Sequence, residues 1–145
     1  MYNARMSIRL PCYCATLRQA TRVISQKYDA AVRASQLTIT QYTLLTALGE
    51  KPGARVNDLA EALAMDQTTL SRTLKLMERE GLISSVEGKD RRESRWEIAA
   101  RGRARMRRAL PHWEAAQRAV EKTLGVAETH RLAAQAFALT SRLGT

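Results

Sequence analysis

Few residues in this chain have the type and spacing to do chemistry, and most of those point to binding. Cys12 and Cys14 stand two apart where a helix is expected to begin. A helix N-terminus lowers the pKa of a thiol and raises its reactivity. Two positions apart on an intact helix, side chains point to different faces, so a disulfide between these two is geometrically poor. They are candidates for a redox site or for a disulfide between subunits; the alternative is that both are small buried apolar residues. The histidines, His112 and His130, are too scattered for a His-based metal site. No nucleophile, base and orienter fall into a recognisable framework, and no glycine-rich phosphate loop is present. The expectation is a protein that is not an enzyme and that has no catalytic residue, metal or cofactor.

A polar and basic pattern is stronger. Gln67, Thr68, Thr69, Ser71, Arg72 and Lys75 fall at the start and on the outer face of a helical segment whose other face carries Leu70, Leu74 and Met77. Shortly after, Lys89, Asp90, Arg91 and Arg92 crowd one polar turn. Glutamine can pair with adenine, arginine with guanine, and threonine methyls can meet the thymine methyl. Lys75, Lys89 and Arg91 suit phosphates, and Arg92 suits insertion into a narrow minor groove. Asp90 cannot help by charge; as a turn residue it can accept backbone hydrogen bonds. Polar helix faces are usually just solvated, so the surrounding elements have to decide.

Those elements form a consistent frame. The spacing predicts a helix over 11–34, with Pro11 in its first turn and Leu17, Ala20, Ile24, Tyr28 and Ala31 on one face. Thr38 or Thr40 can cap a second helix carrying Tyr42, Leu44, Leu45 and Leu48, which ends at the Gly49–Gly53 breakers. Asn57 is placed to cap a short helix over 58–63, and Asp66 the next over 67–80, stopped by Gly81. Only Ala64, Met65 and Asp66 separate them, which is the helix-turn-helix pattern. Strands over 82–87 and 94–98 around the Gly88–Arg92 turn make it a winged one, and a short strand near Arg55 can complete the sheet. A helix over 100–123, interrupted by Pro111, and a last helix over 127–143 with Leu132, Ala136, Leu139 and Leu143 in a repeating row complete the chain.

The fold class expected is therefore mainly α with a small β wing. A winged helix-turn-helix over 37–98 would sit between helical regions, 1–36 and 99–145. Isolated, those terminal helices would expose their apolar rows, which implies a homodimer. A two-fold dimer would set two recognition helices about one DNA turn apart on a pseudo-palindrome.

Charge bears on the same reading. The chain of 145 residues carries +10, which favours anionic partners, nucleic acid first. The surplus is not where the DNA face is expected: residues 1–53 hold 7 basic and 2 acidic side chains, 54–98 hold 8 and 9, and 99–145 hold 9 and 3. The run Arg101, Arg103, Arg105, Arg107 and Arg108 is odd-spaced and is expected to spread around its helix, mostly solvated. No apolar run is long enough to span a bilayer and no signal peptide is evident, so no membrane partner and a cytoplasmic location are expected.

The segment from Asp66 to Ile83 resembles the recognition helix and following strand of MarR-type regulators. Asp90-Arg91-Arg92 resembles that family's Asp-any-Arg wing signature, Ile98-Ala99 and Gly102 stand where the family has Leu-Thr and Gly, and Leu37–Tyr42 resembles its entry into the second helix. The likeness covers about Cys12 to Leu143. It implies a bacterial, dimeric, ligand- or oxidant-responsive transcription factor, most often a repressor, bound to double-stranded DNA. It suggests that Asp90 braces the wing by pairing with an arginine. It implies a pocket for a small aromatic or phenolic acid, for which Arg18, Tyr42, His112 and Trp113 are candidates. It also implies a peroxide-sensing alternative, because Cys14 and Tyr28 match the spacing of the reactive cysteine and its tyrosine in organic-hydroperoxide sensors, although the second tyrosine of those sensors is Ile39 here. A further alternative is a non-specific architectural DNA binder.

Overall fold

The computed structural model describes residues 7–87 and 94–144. Helix α1, Tyr13–Val32, is followed by a 3-10 turn, Arg33–Ser35, then α2, Ile39–Glu50, strand β1, Ala54–Arg55, and helix α3, Val56–Ala62. Helix α4, Gln67–Arg79, leads into strands β2, Ile83–Glu87, and β3, Ser94–Ile98; helices α5, Ala100–Leu124, and α6, Val126–Leu143, follow. The three strands form one antiparallel sheet in the order β1-β3-β2.

Local chemistry sets most of these limits. Pro11 lies just before α1 rather than in its first turn, because Cys12 is the N-cap. The chain then reverses through Gln36, a left-handed residue at φ 58°. Thr38 caps α2 in a reciprocal box: its Oγ1 accepts from the Gln41 amide at 3.1 Å, and Gln41 Oε1 accepts from the Thr38 amide at 3.1 Å. Asn57 is not a cap. Arg55 is still extended at φ −82°, ψ 158°, so α3 begins as soon as β1 ends and Asn57 falls inside its first turn. Ala64, at φ 51°, turns the chain between α3 and α4. Gly81, at φ 75°, ends α4 in a left-handed conformation that lets the Leu82 amide bond back to Met77.

Pro111 does not interrupt α5, which runs through it. Its missing N–H frees the Arg107 carbonyl, but both residues are exposed, so water can satisfy that oxygen. On the opposite side Ala109 and Ala116 are buried and hold the helix down before and after the proline.

The core lies beneath the helix-turn-helix unit. Leu44, Leu45 and Leu48 of α2 meet Leu59 of α3, Leu70, Leu74 and Met77 of α4, Leu82 in the turn after α4, and Ile83 and Trp96 of the sheet, all buried. Truncating one such leucine to alanine costs about 2–5 kcal/mol. Val32 and Ala109 join this core from the terminal helices. Much other apolar surface on the terminal helices is open in the single chain: α6 buries no residue, and Leu17, Ile24, Leu132, Phe137 and Leu143 are exposed.

Candidate nucleic-acid interface

Helix α4 is amphipathic as expected. Leu70, Leu74 and Met77 fix one face to the core, leaving Gln67, Thr68, Thr69, Arg72 and Lys75 exposed and Ser71 half-buried. Its first turn is tied down by Asp66. The Thr69 amide donates to Asp66 Oδ2 at 3.0 Å, and the Thr69 hydroxyl donates to the same oxygen at 3.2 Å. These bonds, the amide first, hold the Asp66 carboxyl below its ordinary range, with smaller help from the Thr68 amide and the Arg72 charge. The polar face is thus presented by a rigid, capped helix end, the end that enters a major groove in this motif.

Lys89, Asp90, Arg91 and Arg92 lie outside the described residues. The strands on either side are paired up to Glu87 opposite Ser94. Strand β3 also pairs with β1, which sets Arg55 directly opposite Arg95, on the other face of the sheet from Ala54 and buried Trp96. That basic pair was not legible in the sequence, because the register of a two-residue strand leaves no periodic trace.

The arginine run on α5 is more ordered than its odd spacing suggests. Arg101, Arg105 and Arg108 fall at i, i+4 and i+7, which is one flank of a helix. Arg101 Nη1 donates to the Glu80 carbonyl at 3.0 Å, and Arg105 Nη1 to the Gln36 carbonyl at 3.1 Å. Two of the run therefore tie α5 to other elements.

In the single chain both thiols are exposed, so no packing within one chain buries them. Cys12 is extended at φ −132°, ψ 117°, so the pair straddles the helix start rather than lying within the helix. Tyr28 is not near them in one chain: fourteen residues along α1 is about 21 Å. Its hydroxyl donates to Gln117 Oε1 of α5, and burial, then the Glu121 charge, push its pKa up.

The four pocket candidates do not converge. Tyr42 and Trp113 stack, with ring centroids 6.0 Å apart and planes at 29°. Trp113 lines a groove of about 250 Å³ with Ile24, Ser25, Tyr28, Ile39 and Thr43, where α1, α2 and α5 meet. His112 lines a different groove with Lys27 and a series of alanines. Arg18 is exposed and lines neither. Among the described residues no helix is long and apolar enough to cross a membrane.

Residues 35–93 match the sequence model of the MarR family. No curated protein sequence matches significantly. Among solved structures, the chain is 36% identical to the Mycobacterium tuberculosis transcriptional regulator MosR in complex with DNA, over 91% of this chain and 99% of that one, with a TM-score of 0.76. The transcriptional repressor CouR has the same fold: bound to a 23-mer DNA duplex it superposes with a TM-score of 0.81 at 20% identity, covering 92% and 99% of the two chains. CouR bound to p-coumaroyl-CoA superposes equally well, at 0.81 and 19% identity, over 94% and 99%. Sequence likeness across nearly the whole length, a winged helix-turn-helix with a capped polar helix, and the family match together place the chain in the MarR family of DNA-binding transcriptional regulators.

Proposed function

We propose that the protein is a dimeric repressor that binds a pseudo-palindromic operator and is released from it by a small aromatic or phenolic ligand. The observation that carries the DNA reading is the capped α4, whose exposed first turns offer Gln67, Thr68, Thr69, Arg72 and Lys75 while Leu70, Leu74 and Met77 anchor it from behind. Ser71 borders that face, and Lys89, Asp90, Arg91 and Arg92, outside the described residues, are assigned to DNA contact on their residue types alone. That MosR, at 36% identity, is found in complex with DNA supports a DNA-binding role for this chain.

Dimerisation is supported by the apolar surface that α1 and α6 leave open, with Phe137 and Leu143 of α6 each 75% exposed. The ligand reading is supported by the groove beside Trp113, which borders α1, α2 and α5 together, so a bound molecule there favours one arrangement of dimer helices and DNA-reading unit over another. His112 and Arg18 stand apart from that groove and belong to this site only if the dimer brings them to it.

A second reading, repression relieved by oxidation at Cys14, is favoured by the exposure of both thiols. It requires Tyr28 to come from the other subunit.

The test is fluorescence anisotropy with reduced protein on the intergenic DNA beside its own gene, against an unrelated duplex at equal salt. Specific binding that a hydroxybenzoate weakens supports the ligand-released repressor. Specific binding lost on mild organic peroxide and restored by thiol supports the Cys14 reading. Equal binding to both duplexes, with a steep salt dependence, points to the architectural alternative.

A further inference from the structure

The C-terminal end of α4, remote from the DNA face, is gripped by a polar network. Gln41 of α2 is 8% exposed, and its amide serves two partners. Oε1 accepts from the Thr38 amide at 3.1 Å, and Nε2 donates to Glu80 Oε2 at 3.3 Å. Glu80 is the C-cap of α4, and its carbonyl accepts from Arg101 of α5 at 3.0 Å. The Ile39 amide at the head of α2 donates to Asp29 Oδ1 of α1 at 2.7 Å, and Arg105 of α5 holds the Gln36 carbonyl between α1 and α2. Glu80 is thus bonded to α2 through its side chain and to α5 through its main chain, and both of those helices are bonded to α1 or to the turn after it.

The lever arm makes this matter. From Glu80 to Gln67 the helix is about 20 Å long, so a tilt of about 3° at Glu80 moves Gln67 by about 1 Å. A displacement of that size takes a base-edge hydrogen bond out of range, whereas a lysine on a phosphate can follow it. We infer that Gln41, acting through Glu80, is a positioning residue that sets the angle of the recognition helix and so its discrimination between DNA sequences. This rests on the proposal that α4 reads DNA. The competing account is that Leu70, Leu74 and Met77 fix the angle by packing alone.

The test uses a duplex that the wild-type protein selects from a random pool, with an unrelated duplex at the same salt as control. Gln41→Glu keeps the acceptor for the Thr38 amide, since either residue serves a capping box, but removes the donor and sets two carboxylates against each other. Adding Glu80→Gln restores an amide–carboxylate pair with its polarity reversed and returns the net charge to that of the wild type. Gln41→Glu is expected to lose about tenfold in affinity for the selected duplex while the unrelated duplex changes by less than about twofold, and the double variant to recover. Glu80→Ala, which keeps the carbonyl that Arg101 holds, is expected to show the same selective loss and serves if Gln41→Glu does not fold. Undiminished discrimination in folded Gln41→Glu or Glu80→Ala overturns the inference, as does failure of the double variant to recover. Arg72→Ala separates the two levels. If Arg72→Ala loses discrimination while Gln41→Glu and Glu80→Ala retain it, only the positioning role fails; if the wild type selects no sequence, the DNA reading fails and the positioning role with it.

Discussion

Gly102 faces the carbonyl of Leu82 so closely that a β-carbon on it would stand 2.2 Å from the oxygen. The same carbonyl accepts from the Ala99 amide at 3.0 Å, so the start of α5 is pressed against the start of β2. The obstructing atom is backbone and cannot rotate away. Gly102→Ala is therefore expected to cost ~3 kcal/mol, read as a lower urea midpoint with an unchanged slope. A midpoint equal to that of the wild type would show that this junction opens freely.

The Asp66 cap has a pH signature. Its carboxyl is held below the ordinary carboxylate range by the Thr69 amide and hydroxyl. A depressed folded-state pKa means stabilisation that is present above the unfolded-state value and is lost as pH falls through the folded one. Asp66→Asn keeps a capping oxygen but cannot titrate. Urea midpoints of the two proteins are expected to run parallel above about pH 5 and to diverge below about pH 4, with the wild type falling faster. Parallel curves throughout would remove the carboxylate from this role.

Arg72 and Lys75 lie on the same exposed face of α4 but are assigned different work. Arg72→Ala is expected to cost about 1–3 kcal/mol on a selected duplex and to relax base preference at one position. Lys75→Ala is expected to weaken all duplexes alike and to reduce the slope of log affinity against log salt by about one. Anisotropy titrations at four salt concentrations separate them; identical salt slopes for the two variants would contradict the division.

The apolar surface that α6 leaves open, Leu132 and Phe137 included, predicts self-association. Leu132→Asp combined with Phe137→Asp is expected to raise the dimer dissociation constant at least about a hundredfold, measured by sedimentation equilibrium. A dimer indifferent to both changes would place the interface elsewhere.

Trp113 offers an optical report on the groove at the α1–α2–α5 junction. Trp96, the other tryptophan, is buried with its Nε1 unpartnered among the described residues, so Trp96→Phe also removes an unsatisfied donor and leaves one emitter. In that background a hydroxybenzoate is expected to quench emission over the concentrations that weaken operator binding. Release from DNA without any quench would move the effector site away from Trp113.

What the sequence disclosed followed period and caps. Leu70, Leu74 and Met77 repeat over about two turns between Asp66 and Gly81, and α4 came within one residue of its observed C-terminus. Asn57 misled because a good capping residue beside a strand end cannot compete with the strand for where the helix begins. Pro111 misled because a proline on the solvent side of a long helix costs one hydrogen bond that water replaces. Arg101, Arg105 and Gln41 were hidden for another reason. Their partners are backbone or side-chain atoms 21, 69 and 39 positions away, and local spacing carries no record of such contacts. The same limit scattered His112 and Arg18 from Tyr42 and Trp113, which do meet.

The Thr69 hydroxyl already donates its one hydrogen bond to Asp66. Toward a base it retains a lone pair and a methyl group. Guanine presents only acceptors, N7 and O6, on its major-groove edge, whereas thymine shows a methyl, and adenine and cytosine each show an amino group. The base that meets Thr69 in duplexes selected by the wild type is thus expected to be thymine, adenine or cytosine, with guanine depleted. Selection repeated with Asp66→Ala, which frees the Thr69 hydroxyl to donate elsewhere, should readmit guanine at that one position; an unchanged preference would mean that the hydroxyl never faces the base. Through this bond a helix cap becomes a constraint on which letters an operator is allowed to contain.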